Sequence, residues 1–228
     1  MNRAVIFANG MVEEIEGIIS NLKPFDIVIA ADGGSRHCKS LGLQPDVIIG
    51  DLDSMETAEV TAYNDAGVEI IQYPTHKDET DLELALQFAA DRGISEVYIL
   101  GALGARWDMT LANILLLTHP GFQSFLIRLF DGYQELAILR PGKSTKIHAL
   151  PGDTISLIPI AGDVQGIFTQ GLEYPLNDET LHFGSSRGVS NVFTQDFAEI
   201  RWKNGLLLIV VTRYRTTEGS ARKEEILP

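Results

Sequence analysis

The fold is decided by one stretch, Pro45-Asp46-Val47-Ile48-Ile49-Gly50-Asp51-Leu52-Asp53-Ser54. This stretch joins a short apolar run directly to an acidic loop. Its three consecutive β-branched residues predict a strand that is buried on both faces, as in a parallel sheet. Gly50 allows the chain to turn sharply at the end of that strand. Ligands of open parallel sheets bind beyond the carboxyl ends of the strands, so Asp51 and Asp53 are expected to face a binding crevice.

Apolar runs alternate with segments of helical periodicity on both sides of this stretch, from the start of the chain to about residue 131. The other strand candidates are Ala4–Phe7, Asp26–Ala31, Val68–Tyr73, Val97–Leu100 and Phe125–Phe130. Apolar residues recur at spacings of three and four in Val12–Leu22, Ser35–Leu41, Glu56–Ala66, Asp81–Arg92 and Trp107–Leu117. Strict alternation of strand and helix predicts an α/β fold, with a mostly parallel sheet and flanking helices.

The pattern changes after Pro141-Gly142, where short strand candidates are separated by turn residues. The candidates are Thr145–Leu150, Thr154–Ile160, Gly166–Thr169, Thr180–Phe183, Asn191–Phe193 and Glu199–Lys203. Asn204-Gly205 predicts a tight hairpin between the last of these and Leu206–Thr212. We therefore expect a domain boundary within residues 132–142. The predicted domains are an α/β domain over residues 1–135 and an all-β, sandwich-like domain over residues 136–228.

The charge of the chain excludes several kinds of partner. Its 228 residues include 31 acidic and 18 basic side chains, and residues 45–83 alone hold eleven carboxylates and one base, Lys77. Nucleic acids and anionic membrane surfaces both bind basic clusters, so neither partner is expected. No apolar run reaches the roughly 18 residues of a membrane span. A single cysteine and the lack of a signal-peptide pattern indicate a cytoplasmic protein.

The pair Asp51 and Asp53 has two interpretations. Carboxylates so close on one loop repel each other unless a cation lies between them. Mg²⁺ takes one or two carboxylates together with phosphate oxygens, and it is the cation that this pair suits best. A solvated acidic turn before a helix that begins near Glu56 explains the same residues without any ligand. The pair by itself does not decide between the two interpretations.

A second polar cluster, Thr75–Glu83, also follows a strand candidate and precedes a helix. A capping box starts this helix and puts Asp81 in its first turn, where the helix dipole stabilises an acid. Asp81 can therefore be explained by structure alone. Asp78 and Lys77 are not explained in this way, and a lysine beside a metal-bound polyphosphate would act as a point charge.

Two further loops follow strands in the same manner. In Gly101-Ala102-Leu103-Gly104-Ala105-Arg106-Trp107-Asp108, small residues let backbone amides approach an anion, and Arg106 adds a bidentate phosphate donor. The loop has neither the Walker A ending nor the dinucleotide fingerprint. Ala31-Asp32-Gly33-Gly34 occupies the same type of position. All four strand-end loops carry charged side chains, and chance is a poor explanation for this.

Taken together, these motifs resemble the thiamin pyrophosphokinase family in their order and spacing. The matching segments are Ala31-Asp32-Gly33-Gly34, Pro45-Asp46, Gly50-Asp51-Leu52-Asp53-Ser54, Lys77-Asp78-x-Thr80-Asp81, Gly101-x-x-Gly104-x-Arg106-x-Asp108, Thr169–Leu176, Phe183-Gly184 and Ser190-Asn191. The resemblance implies transfer of diphosphate from ATP to the hydroxyl of thiamin, which gives thiamin diphosphate and AMP. It also implies that residues 1–135 bind ATP and Mg²⁺ and carry the catalytic residues, whereas residues 136–228 bind thiamin and form the dimer. The active sites of this homodimer would lie at the subunit interface.

The resemblance assigns roles residue by residue. The residues implied to hold the metal and the transferring phosphates are Asp51, Asp53 and Asp81. Asp81 is the candidate general base, with Asp78 as the alternative. The nucleotide side would be lined by Asp32, Lys77, Arg106 and Asp108, and the thiamin side by Tyr174, Ser190 and Asn191. The chain departs from the family at Ala105, where glycine is common, and at Met109, where bacterial relatives often have histidine.

Three other functions stay open at this point. A haloacid-dehalogenase-like phosphatase would use Asp51 and Asp53, but its motif usually lies near the N-terminus and has Thr or Val where this chain has Met55. A diphosphokinase acting on another heterocyclic alcohol, such as a hydroxymethylpterin, is disfavoured by the motifs within residues 169–191. A degenerate sensor of nucleotide or thiamin diphosphate is disfavoured because the acidic site is complete.

Overall fold

The structure is a computed structural model that describes residues 3–12, 26–142 and 144–214. The described residues divide into two compact units, residues 3–132 and residues 133–214. The first unit is α/β with parallel strands, and the second is built from antiparallel strands. This confirms the predicted fold class. The predicted domain boundary after residue 135 stays a prediction.

The first unit contains the strands and helices that the periodicity predicts. Its strands are β1 (Arg3–Phe7), β2 (Ile27–Ala31), β3 (Val47–Gly50), β4 (Glu69–Gln72), β5 (Glu96–Leu100) and β6 (Leu126–Asp131). Its helices are α1 (Ser35–Ser40), α2 (Thr57–Asp65), α3 (Asp81–Asp91) and α4 (Trp107–Leu116). Each agrees with its prediction to within one residue at either end. Apart from Val12, the helix predicted over Val12–Leu22 lies outside the described residues.

The strands of the first unit form a parallel sheet in the order β4-β3-β2-β1-β5-β6. All residues of β1 and β3 are buried, as expected for strands covered on both faces. Helix α3 packs against β1, β2 and β3. The order reverses between β1 and β5, so the loops that follow these two strands diverge and leave a crevice at that point.

The second unit is a β-sandwich, as predicted. Its strands are β7 (Gln134–Leu139), β8 (Thr145–His148), β9 (Thr154–Pro159), β10 (Val164–Gln170), β11 (Asn177–Leu181), β12 (Asn191–Val192), β13 (Phe197–Arg201) and β14 (Leu207–Thr212). They form two antiparallel sheets, in the orders β12-β9-β14-β7 and β11-β10-β13-β8. Leu157 and Ile209 from the first sheet share one apolar core with Ile167 and Ile200 from the second.

The sequence analysis missed one strand, β7, which lies within residues 132–142. β7 pairs with β14 along its whole length, and its central residues Glu135, Leu136, Ala137 and Ile138 are buried. Gly132 and Pro141-Gly142 therefore lie just outside the two ends of this strand.

The hairpin predicted at Asn204-Gly205 is also wrong. β13 pairs with β8 and β10, whereas β14 pairs with β7 and β9. The turn has a positive φ at Gly205 (97°) and not at Asn204, although a type I′ turn requires both. The backbone N–H of Gln165 donates to the Asn204 carbonyl over 3.0 Å, and this bond holds the turn. The chain passes here from one sheet of the sandwich to the other.

In the described part of the chain, the helices are all too short or too polar to cross a membrane.

Candidate active site

A cavity of about 380 Å³ lies where the strand order of the first unit reverses. The loops after β1 and β5, residues 8–10 and 101–106, form much of its wall. Asp32, which follows β2, and Asp81, at the start of α3, line it as well. In open parallel sheets this is the position at which ligands bind, because the loops on its two sides diverge.

The two loops that meet at the reversal are in direct backbone contact. The Gly10 N–H donates to the Gly101 carbonyl over 2.7 Å, and the Ala8 N–H donates to the Leu100 carbonyl over 2.8 Å. A Cβ atom on Gly10 would lie 2.4 Å from the Gly101 oxygen, so only glycine allows this approach. Reasoning from the sequence missed residues 8–10, and the signal for them was Asn9-Gly10 directly after a buried strand.

Three of the predicted site carboxylates meet beside this cavity. Asp32, Asp51 and Asp53 each offer an oxygen, and these oxygens lie within 4.8 Å of one another. Asp32 is buried and accepts a hydrogen bond from Ser54 Oγ at 2.9 Å. The charge of Asp51 raises the pKa of Asp53, and desolvation and the charge of Asp32 add to this effect. An upward pKa shift is the direction expected for carboxylates that repel each other.

An unusual backbone brings the three carboxylates together. Asp32 has a φ of 43° and Leu52, between the two other acids, has a φ of 64°. These left-handed conformations are strained for residues with a side chain, and such strain is found preferentially at functional sites. A Cβ atom on Gly50 would lie 2.9 Å from the Asp32 Cβ, so glycine is needed for the loops to approach.

Asp81, which the resemblance assigns to the metal, lies outside this group of three. Lys77 Nζ is 2.9 Å from Asp81 Oδ1 and forms an ion pair with it. Burial disfavours the charged form of Lys77, but its hydrogen bond and ion pair with Asp81, together with the charges of Asp51 and Asp32, raise the pKa of the lysine. Thr80 caps α3 as predicted, because its Oγ1 accepts from the Glu83 N–H at 3.2 Å. Asp78 is exposed and is not part of the cavity wall.

Arg106 lines the cavity and pairs with Asp108, the other predicted residue of this loop. Arg106 Nη2 lies 2.5 Å from Asp108 Oδ2, and both side chains are largely exposed. The arginine lowers the pKa of Asp108, and the carboxylate in turn raises the pKa of Arg106. Exposed ion pairs of this kind are weak, so a phosphate group can take the place of Asp108 at little cost.

Ala105 has a φ of 55°, a conformation that favours glycine. We expect Ala105→Gly to stabilise the protein by about 0.5–1 kcal/mol, because relief of the left-handed strain exceeds the entropy cost of glycine. Urea denaturation measures this difference. Ala102→Gly, in the same loop at a φ that is not positive, is the control and should destabilise. Equal destabilisation by both changes would contradict the prediction.

The predicted thiamin-side residues lie in the second unit. Tyr174 and Asn191 line a cavity of about 390 Å³ together with Arg187. The buried Asn191 amide makes two hydrogen bonds with the backbone of Tyr174. Its Oδ1 accepts from the Tyr174 N–H at 3.0 Å, and its Nδ2 donates to the Tyr174 carbonyl at 2.7 Å. The Tyr174 ring is exposed. Ser190 is not in the cavity wall, and its backbone N–H donates to Ser156 Oγ at 3.1 Å.

Asn113 is a second cavity residue that the sequence did not reveal. It lies on α4, whose neighbouring residues are apolar, and its Nδ2 donates to the Ala102 carbonyl over 2.7 Å. A polar residue within the otherwise apolar run Leu111–Leu117 was the available signal. Its side-chain amide supports the loop that follows β5.

Comparison with known proteins agrees with this geometry. Residues 20–129 match the family model described as thiamin pyrophosphokinase, catalytic domain, and residues 144–207 match thiamin pyrophosphokinase, vitamin B1 binding domain. The thiamine pyrophosphokinase of Bacillus subtilis (strain 168) is 28% identical over 205 residues, which cover 90% of this chain and 96% of the relative.

Solved structures give the same result. The crystal structure of thiamine pyrophosphokinase from Bacillus subtilis superposes with a TM-score of 0.84 at 26% identity and covers 94% of this chain and 100% of that one. A thiamin pyrophosphokinase family protein from Enterococcus faecalis gives a TM-score of 0.82, also at 26% identity and with the same coverage. The chain therefore belongs to the thiamin pyrophosphokinase family, and it is a transferase of thiamine diphosphate biosynthesis.

Proposed function

We propose that this protein transfers the diphosphoryl group of ATP to the hydroxyl of thiamin, with the phosphate chemistry in the cavity of the first unit. The observation that carries the proposal is the meeting of Asp32, Asp51 and Asp53 beside that cavity, within the segment that matches the catalytic domain. The Tyr174 cavity lies within the segment that matches the vitamin B1 binding domain, which supports thiamin as the acceptor. The phosphatase, pterin and sensor alternatives are not favoured.

The acidic group fits Mg²⁺. Asp32, Asp51 and Asp53 supply only carboxylate oxygens, the donors that this hard cation prefers. A cation would also relieve the repulsion that raises the pKa of Asp53. We therefore propose that these three residues hold the ion, with Asp81 as a nearby fourth acid. When bound, the ion would neutralise charge on the phosphate oxygens.

The remaining charged residues would position the polyphosphate. Attack of an alcohol on phosphorus is in line, and the charge to be opposed lies mainly on phosphate oxygens. Arg106 would bind those oxygens in a bidentate manner, and Lys77 would act on them as a point charge. Asp108 would hold Arg106 in place until the nucleotide binds. Asp81 is the proposed acceptor of the thiamin hydroxyl proton, with Asp78 as the alternative, and a loose transition state requires little help from either.

Incubation of the purified protein with ATP, Mg²⁺ and thiamin tests this function. The expected products are AMP and thiamin diphosphate in equal amounts, and chelation of the metal with EDTA should stop their formation. AMP formation with a hydroxymethylpterin and not with thiamin would overturn the proposal in favour of the pterin enzyme. Nucleotide binding without either product would indicate a sensor.

We also propose that the protein is a homodimer whose active sites lie at the subunit interface. Helix α4 supports this, because Trp107, Leu111 and Leu115 are 86%, 59% and 43% exposed. Their spacing of four residues puts them on one face of the helix. A contiguous exposed apolar face is typical of a protein interface, and the resemblance makes a second copy of the chain its expected occupant.

Leu111→Glu is therefore expected to produce monomers. Burial of a leucine contributes about 1.5–3 kcal/mol, so losing it and introducing a charge should weaken the dimer at least roughly tenfold. Light scattering after size-exclusion chromatography measures the effect, and turnover should fall with the dimer fraction. Gln87→Glu adds the same charge on the exposed surface of α3 and serves as the control. A dimeric Leu111→Glu protein would place the interface elsewhere.

We further propose a cytoplasmic location. Cys38 is the only cysteine in the sequence, and it is fully buried. Burial raises the pKa of its thiol to about 12, so the group stays protonated and unreactive. Such a cysteine has no need of an oxidising compartment.

A further inference from the structure

Asn113 is a buried amide on a helix whose other residues are exposed or half-buried. Among the residues of α4, all within the described part of the chain, only Asn113 is buried, with 6% of its surface exposed. Burying an amide is costly unless its polar atoms find partners. Asn113 also lines the cavity of the first unit.

The orientation of this amide follows from its one hydrogen bond. Its Nδ2 donates to the Ala102 carbonyl over 2.7 Å, and a carbonyl oxygen can only accept. The nitrogen must therefore face Ala102, and Oδ1 must face the other way. In the residues that the structure describes, Oδ1 accepts no hydrogen bond. Oδ1 is therefore available to accept a hydrogen bond from a ligand.

The surroundings of Asn113 suit a flat heterocycle. Ala102, Leu103 and Met109 line the same cavity, and the first two are buried. Charged phosphates would instead be drawn to Arg106 and to the cation that the three carboxylates are proposed to hold. The part of a nucleotide that fits apolar walls and offers a hydrogen-bond donor is a purine base with an amino group.

We infer that Asn113 is a specificity-determining residue, whose Oδ1 accepts a hydrogen bond from the 6-amino group of adenine. Guanine carries a carbonyl oxygen at this position, and two facing acceptors would be left unpaired. Sites that bind a polar group in this way strongly reject analogues that lack it. The inference rests on the proposed function, because it takes ATP to be the nucleotide.

Equilibrium binding to the unaltered protein provides the first test. Titration calorimetry would compare ATP with purine riboside triphosphate, which lacks only the 6-amino group, and with 2′-deoxy-ATP. We expect the purine riboside analogue to bind roughly tenfold more weakly or worse, and 2′-deoxy-ATP to bind about as well as ATP. Equal binding of ATP and the purine riboside analogue would overturn the inference. So would a loss confined to 2′-deoxy-ATP, which would assign Oδ1 to the ribose.

Two variants then attribute the preference to the side-chain oxygen. Asn113→Leu keeps the size of the side chain and removes the acceptor, so it should bind ATP and the purine riboside analogue equally. Asn113→Asp keeps an acceptor oxygen toward the base, so it should retain the preference for ATP, but it loses the donor to the Ala102 carbonyl and should therefore be less stable. A preference that survives in Asn113→Leu would overturn the inference, and if that variant fails to fold, the comparison of analogues on the unaltered protein decides alone.

The role of Asn113 and the proposed function can fail independently of each other. Binding preference without formation of thiamin diphosphate would contradict the proposed function and leave the role of Asn113 standing. Formation of thiamin diphosphate with equal use of both nucleotides would contradict only the role of Asn113.

Discussion

Asp53→Asn is expected to abolish formation of thiamin diphosphate while the fold stays intact. The change removes one of three carboxylates that lie within 4.8 Å of one another and would hold the metal. Loss of a metal ion forfeits several kcal/mol of charge stabilisation, so turnover should fall about a thousandfold. Folding should not suffer, because Asp51 and Asp32 raise the pKa of Asp53 by repulsion, which the uncharged asparagine relieves. Asp51→Asn should act in the same way.

The measurement combines steady-state kinetics with circular dichroism and urea denaturation. Asp65→Asn removes an equal charge from the end of α2, within the same acidic stretch and outside the carboxylate group, so it should keep full activity. An unfolded Asp53→Asn or Asp51→Asn protein would show that the acids serve the structure. Near-normal turnover of a folded Asp53→Asn protein would remove that residue from the metal site.

Gly34→Ala is expected to destabilise the protein by about 3 kcal/mol, near the upper end of the usual cost of overpacking. Gly34 has a φ of −59°, so its backbone would accept any residue. Glycine is required here because there is no room for a side chain. A Cβ atom would lie 1.8 Å from the Phe7 carbonyl oxygen. Phe7 belongs to β1, which is held between β2 and β5, so its backbone cannot move aside.

Thermal or urea unfolding measures this effect, and a loss of about 3 kcal/mol corresponds to a melting temperature lower by roughly 10 °C. Gly142→Ala is the matched control, since nothing lies within 4 Å of its added Cβ atom and its stability should change by less than about 0.5 kcal/mol. Equal stability of the two variants would mean that the turn after β2 can shift without cost. Because Asp32 lies in the same turn, Gly34→Ala should also lower activity.

Much of the first unit could be predicted from local sequence alone. Runs such as Val47–Ile49 have the length and β-branching of buried strands, and Asp81–Arg92 has the period of a helix. Parallel strands all end at the same edge of a sheet, so acids placed just after separate strands had to come near each other. This reasoning predicted that Asp32, Asp51 and Asp53 lie at one crevice, and it required no knowledge of strand order.

Local sequence could not decide which strands are neighbours. Asn204-Gly205 has the composition of a hairpin turn, yet the strands on its two sides belong to different sheets. Ile200, before the turn, and Leu207 and Ile209, after it, contribute to one core between the sheets. Burial of both apolar faces favours this arrangement, and such burial depends on residues that are distant in the chain.

The sequence by itself determined the α/β class of the first unit, the positions of its strand-end loops and the types of side chain that those loops carry. Only the tertiary structure decided that Asp32 joins Asp51 and Asp53 while Asp81 pairs with Lys77. It alone placed Asn113 in the cavity wall. The physical reason is that periodicity and turn chemistry act between residues near in the chain. Which groups share a cavity depends instead on strand order, backbone strain at Asp32 and Leu52, and close contacts that only glycine permits.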